Sequence, residues 1–217
     1  ETGLIAGQYA KKLFKPVRKT PIDKWNLLNN AIWEPVADWR RAYAYPKGNE
    51  DLEETLRREV LSVRKNVGLL DSSTLGKILV KGPDAGRFLD LIYTNMISTL
   101  KAGKCRYGLM CNEAGFVFDD GVVARLNDQS FLCHTTSGGA DRVYAWLEEW
   151  LQTEWHHLKV FIVNLTEQYS QIAVAGPKAR ELLQTFKSID LAAEKLPFMN
   201  FIEANIDDIW VRIYRIS

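Results

Sequence analysis

Cysteine and histidine are scarce in this sequence, three of each among 217 residues. Cys105, Cys111 and Cys133 are odd in number and lack CxxC spacing, which excludes a disulfide framework. They read as small buried apolar residues of a reduced, cytoplasmic compartment, and no signal peptide is visible. His134, His156 and His157 form no HExxH pattern and no Cys/His cluster, so no metal site is expected. Net charge is nearly absent as well, with 28 basic and 27 acidic residues. That leaves no basic field for nucleic acid. No apolar run approaches the length of a membrane span. A GxGxxG turn after a strand, a GxxxxGK[ST] phosphate loop and a GxSxG elbow are all missing. The Asn164-Leu165-Thr166 sequon reads as accidental. An enzyme built on this chain would have to work with a carboxylate and a shaped pocket.

What is present is an ordinary globular composition, 47% hydrophobic and 25% charged, in a chain long enough to bury a real core. It opens on Glu1, not methionine, and stops at Ser217 directly after the strand-like run IWVRIYRI, so it is expected to be a piece of a longer polypeptide. Residues 1–48 show little periodicity. Lys11, Lys12, Lys15, Arg18 and Lys19 mix with Trp25, Trp33, Trp39, Tyr43 and Tyr45, and Pro16, Pro21, Pro35 and Pro46 interrupt them. This stretch reads as an extended lead-in lying on other surfaces. Its basic and aromatic residues also suit single-stranded nucleic acid, but an interdomain or intersubunit arm is the plainer expectation.

From Asp51 the pattern sharpens. Leu52, Leu56, Val60, Val63 and Val67 recur at helical spacing, with an Asp51–Glu54 capping box in front and Gly68 expected to end the helix. Strands are expected at Lys77–Lys81, Phe131–Thr135, Val160–Leu165, Gln171–Ala175 and Ile209–Ile216. Helices are expected over Asp84–Tyr93, through Val143 to Trp150, and from Gly176-Pro177 to Phe186. LVKGPDAGRFLDLI (79–92) and AVAGPKARELLQTF (173–186) match at a constant offset, with Gly82 on Gly176 and Pro83 on Pro177. Both read as a strand, a glycine turn and a helix opened by proline, which implies two related α/β halves.

The centre of the chain is YGLMCNEAGFVFDDGVV (107–123), read as two strands joined by a turn at Asn112–Gly115. Apart from Asp119 and Asp120, the second strand is apolar from Phe116 to Val123, the pattern of a strand buried on both faces. A carboxylate there costs several kcal/mol unless a partner or ligand compensates it. Neighbouring strand residues point to opposite faces, so the two aspartates cannot serve one site together. From the residues alone, Asp120 is either a structural carboxylate satisfied by backbone amides or by Arg106 or Arg125, or a reactive one.

This hairpin resembles the segment of glycine-cleavage T-proteins (aminomethyltransferases) in which an aromatic, an Asn-x-x-Gly turn and paired aspartates follow in this order. VGLLDSSTLGKILVKGPDAGRFLDLIYTN (67–95) resembles the preceding part of that fold, and AVAGPKARELL its later segment. RKTPIDKW, FLCHTTSGG and LPFMNFIEANIDDIWVRIYRIS resemble the C-terminal half of heterotetrameric sarcosine oxidase α subunits. The resemblance implies an α+β (mixed α/β) T-protein-like fold over residues 49–217, incomplete at its C-terminus, behind the 1–48 lead-in. It implies a folate-binding part of a sarcosine oxidase, in which tetrahydrofolate captures the released one-carbon unit as 5,10-methylenetetrahydrofolate. Flavin and NAD are expected on other regions or subunits, and the partners are those subunits and folate.

Carried over by position, Asp120 matches the carboxylate beside the reactive folate nitrogens, where it would stabilise a cationic iminium and orient or deprotonate the amine. Asp119 is then its structural neighbour, pointing the other way. Tyr107 matches the aromatic lining the pocket and Leu75 an apolar residue on the pterin. Thr136 falls where T-proteins usually carry asparagine, and its hydroxyl makes fewer hydrogen bonds than an amide. Two alternatives stay open. One is a non-catalytic assembly module, and the other a related aminomethyltransferase or demethylase acting on another methylated donor.

Overall fold

The computed structural model describes residues 18–217; Lys11, Lys12, Lys15 and Pro16 lie outside them. In chain order the first elements are β1 (Arg18–Lys19), α1 (Asp23–Leu28), β2 (Ile32–Val36), β3 (Trp39–Ala44) and α2 (Leu52–Lys65). Next come β4 (Gly68–Asp71), β5 (Gly76–Lys81), α3 (Ala85–Ile92), β6 (Cys105–Cys111), β7 (Val117–Asn127) and β8 (Ser130–Thr135). The last are α4 (Ala140–Gln152), β9 (Phe161–Asn164), β10 (Ile172–Ala175), α5 (Ala179–Leu183), β11 (Asn200–Ile206) and β12 (Ile209–Arg215). They divide into two compact units. One joins the described residues up to Thr74 to Glu167–Thr185; the other joins Leu75–Thr166 to Phe186–Ser217.

In the first unit, the described part of the stretch expected to be extended, residues 18–44, is folded: β1, β3 and β2 make a three-stranded sheet in that order. Its basic and aromatic residues are used on one another. The Arg40 guanidinium bonds Asp23, with Nε 2.8 Å from Oδ1, and stacks 4.4 Å over Trp33. Arg18 lies 5.6 Å over Trp39, which is buried. Pro35 sits in β2, an edge strand, where a missing N–H is tolerated. Helix α2 starts on the expected capping box, with Glu54 N 2.8 Å from Asp51 Oδ1 and Asp51 N 3.0 Å from Glu54 Oε2. It ends at Lys65, earlier than expected, and Gly68 opens β4 instead of closing the helix. Strand β4 pairs antiparallel with β10.

The two repeat copies share one local geometry. Gly82 and Gly176 both have positive φ, +141° and +119°, which a side chain resists. The second residue after each glycine donates its amide to a carbonyl, Asp84 to Lys159 and Lys178 to Asn66. Proline and the one residue after it, the N-cap, then lead into α3 in one copy and the shorter α5 in the other.

The second unit is built on a five-stranded antiparallel sheet, β6-β7-β8-β5-β9, covered by α3 and α4. Ile78, Val80, Phe88, Phe131 and Val143 are among its fully buried side chains. Helices and strands are mixed along the chain as expected, and this five-stranded sheet is antiparallel throughout. The predicted hairpin forms: Asn112 Oδ1 accepts from the Ala114 and Phe116 amides, and Gly115 takes φ +80°. Burial of β7 on both faces does not extend to its start. Phe116 and Val117 are 71% and 62% exposed because they flank the turn, and before Val123 only Asp119 among the residues of β7 is buried. The β11–β12 hairpin joins this unit through the Lys104↔Asn200 bridge and an edge-on contact of Tyr214 with His134.

Candidate functional site

Antiparallel register brings the two aspartates into their places. Leu109 of β6 lies opposite Asp120, and Met110 opposite Asp119. Alternation then puts Asp120 on the face of Leu109 and Tyr107, and Asp119 on the face of Met110, which is fully buried. The separation expected from strand geometry holds.

Asp120 is half-buried, and Tyr107, diagonal to it across the β6–β7 pair, is 52% exposed. A hydrogen bond to the Asp120 carboxylate raises the Tyr107 phenol above its ordinary pKa, followed by partial desolvation and the charges of Asp120 and Asp119. Neither arginine considered as a partner is committed to Asp120. Arg106 bonds the Met96 carbonyl and the Thr99 hydroxyl. Arg125 reaches the carbonyls of Ser98 and Leu100 at 3.1 and 2.6 Å. Asp120 and Tyr107 thus form an accessible carboxylate–phenol pair.

Asp119 is 4% exposed and accepts three hydrogen bonds. Its Oδ1 takes the amides of Asp120 at 2.8 Å and Thr136 at 2.9 Å, and its Oδ2 takes the Thr136 hydroxyl at 2.9 Å. Thr136 therefore has its hydroxyl proton turned to Asp119, although the side chain itself is exposed. Leu75 directly precedes β5. Since Gly76 pairs with Thr135, the register carries Leu75 across from Thr136, and its carbonyl accepts from Lys77 Nζ at 2.7 Å. Of the four residues singled out in the sequence, Tyr107 and Asp120 stand on the adjacent strands β6 and β7, Leu75 directly precedes β5 and Thr136 directly follows β8. Tyr107 and Asp120 are diagonal neighbours on one face of the β6–β7 pair, while Thr136 is hydrogen-bonded to Asp119.

Two contributors were missed. Gly139, the N-cap of α4, lies so close that a β-carbon on it would stand 1.6 Å from Asp119 Oδ2. His134 donates from Nδ1 to the Val122 carbonyl at 2.9 Å, and burial first, then the charges of Lys77 and Arg212, push its pKa down to about 4. Only the Ser137-Gly138-Gly139 run hinted at the first, and nothing in the sequence signalled the second. Burial pushes the thiols of Cys105 and Cys133 up to about 12, which keeps them unreactive. Among the described residues no cluster of His, Cys, Asp or Glu could hold a metal ion, and no helix is long and apolar enough to cross a membrane.

Comparison with known proteins gives three findings. Residues 22–217 match the family described as the GCVT N-terminal domain. The chain is 45% identical over 215 residues to the sarcosine oxidase subunit alpha of Corynebacterium sp. (strain P-1), covering 98% of this chain and 22% of that protein. It is 40% identical over 205 residues to that of Rhizobium meliloti (strain 1021) and 37% identical over 145 residues to the aminomethyltransferase of Natranaerobius thermophilus. These matches span 94% and 67% of this chain, and 21% and 38% of those proteins. The solved glycine cleavage system aminomethyltransferase T of Bartonella henselae superposes with a TM-score of 0.75 at 26% identity, over 88% of this chain and 48% of that one. The chain thus spans about a fifth of the length of the sarcosine oxidase subunits it matches.

Proposed function

We propose, from the premise that this chain belongs to the GCVT N-terminal domain family, that it forms the carboxylate-bearing wall of a tetrahydrofolate site in a sarcosine oxidase. The observation that carries this reading is the Asp120–Tyr107 pair, a carboxylate whose candidate partners Arg106 and Arg125 bond other groups, beside a half-exposed aromatic ring. That donor set suits a flat, amine-bearing ring system: an aromatic face for stacking and an anion for the amine. Bound there, tetrahydrofolate would supply the amine that takes up the one-carbon unit left when sarcosine is oxidised.

The chain's own residues would divide the work. Asp120 accepts the proton of an amine N–H, or favours positive charge developing next to it. Tyr107 offers its ring face, and its phenol keeps the Asp120 carboxylate turned the right way. Leu75 offers apolar surface, and Thr136 an oxygen that can still accept. Flavin and NAD belong to other regions or subunits, and the name "subunit alpha" borne by the Corynebacterium relative supports a hetero-oligomer. Three free cysteines support a cytoplasmic location.

The test is Asp120→Ala in the complete, assembled enzyme. Folate-dependent capture of the one-carbon unit should fall about 100-fold, the usual scale for one preorganised group, while sarcosine oxidation continues. Unchanged partition of the one-carbon unit would remove Asp120 from this role.

A further inference from the structure

We propose that Asp119 is the positioning residue of this site, a buried clamp that fixes Asp120 and Thr136 relative to each other. The functional part of this rests on the folate reading above; the structural part does not.

The clamp lies where the backbone stops holding the strands together. The β7–β8 ladder runs from Asn127↔Ser130 to Val123↔Cys133, with a bulge between Arg125 and Asn127. Beyond it the two strands crowd: a β-carbon on Gly121 would stand 1.9 Å from the His134 carbonyl oxygen. From there outward Asp119 makes the connection. One carboxylate oxygen accepts an amide from its own strand, at Asp120, and an amide from the segment after β8, at Thr136. The second oxygen takes the Thr136 hydroxyl.

Three donors are what a carboxylate 4% exposed needs to remain in place. The turn beyond is shaped to the same group. Gly139 donates its amide to the Thr136 carbonyl at 3.1 Å, and its missing side chain leaves the space that Asp119 Oδ2 fills. One buried residue therefore sets the direction of the Asp120 backbone, the orientation of the Thr136 hydroxyl and the approach of α4. Because Asp119 and Asp120 face opposite ways, Asp119 does not touch what Asp120 touches. It acts through it.

The experiment compares Asp119→Ala, Asp119→Asn and Thr136→Val in the complete enzyme. A first readout needs no folate. The Tyr107 phenol, raised chiefly by the Asp120 carboxylate beside it, is followed by NMR of ring-labelled tyrosine and assigned with Tyr107→Phe. Asp119→Ala should return that titration toward 10.0, the ordinary value. Asp119→Asn keeps an oxygen for both amides and should leave it nearly unchanged apart from the lost charge. The second readout is folate-linked one-carbon capture. Asp119→Ala should lower it at least tenfold, and should add nothing in an Asp120→Ala background.

If Asp119→Ala shifts stability alone and leaves both the Tyr107 titration and capture as in the wild type, Asp119 is only structural and the proposal is overturned. If Asp119→Ala does not fold, Thr136→Val decides it by the Tyr107 titration: a shift toward 10.0 supports the clamp, and an unchanged titration overturns it. If wild-type enzyme shows no response to tetrahydrofolate, the folate reading fails while the Tyr107 titration still judges the clamp.

Discussion

His134 donates from Nδ1 to the carbonyl of Val122 at 2.9 Å, just past the point where β7 and β8 leave their regular ladder. The ring is held neutral there, its pKa pushed down to about 4 from 6.5 by burial and by the charges of Lys77 and Arg212. Between those two values the unfolded chain binds more protons than the folded one. Stability is therefore full above about pH 6.5, falls as the pH drops toward 4, and loses nothing further to this group below that. The loss should total about 3 kcal/mol. Denaturation of His134→Gln across the same range should show a stability gap to wild type that closes by about that amount between pH 7 and pH 4.

The repeated glycines should respond alike. A β-carbon on Gly82 would meet the Lys159 carbonyl oxygen at 2.1 Å, and one on Gly176 the Asn66 carbonyl oxygen at 2.5 Å. Both also sit at positive φ. Gly82→Ala and Gly176→Ala should each cost about 2 kcal/mol, read as a lower denaturation midpoint.

Tyr107→Phe separates stability from function. The ring is half-exposed, so the midpoint should move by less than about 0.5 kcal/mol. Folate-linked capture should fall nonetheless, because the Asp120 carboxylate loses the phenol that orients it. Asp120→Asn should bring the Tyr107 titration down toward 10.0.

The three thiols should react unequally. Cys105 and Cys133 are buried with pKa values pushed up to about 12, whereas Cys111 is half-exposed. Alkylation of the native protein at pH 8 should label Cys111 first, and the other two only after denaturation.

What the sequence made legible followed from short-range rules. The Asn112 turn, the Asp51 cap and the two Gly-Pro corners were readable because neighbouring residues alone determine them. The split of Asp119 from Asp120 was readable from strand alternation. The sheet in residues 18–44 was not, because its strands are short and its stability comes from contacts such as Arg40 with Asp23 and Trp33, invisible as periodicity. Strand β4 was hidden behind Gly68, which resembled a helix stop. In the site, the placing of Tyr107 beside Asp120 depends on β6–β7 register, and the bond of Thr136 to Asp119 depends on how the segment after β8 turns back. Neither leaves a mark in the local sequence.

Because Tyr107 and Asp120 stand on β6 and β7 while Leu75 and Thr136 sit at the ends of β5 and β8, the site is sensitive to length changes in a way that composition does not reveal. Deleting one residue inside β8 would move every later partner of β5 by one place, turning the His134 and Thr135 side chains to opposite faces and carrying Thr136 away from Asp119. The exposed tip Glu113–Gly115 lies beyond the strands and can lengthen without altering any of these pairings. Among descendants of this sequence, insertions and deletions should therefore gather at that tip and be purged from β5 and β8, even where point substitutions in those strands are accepted.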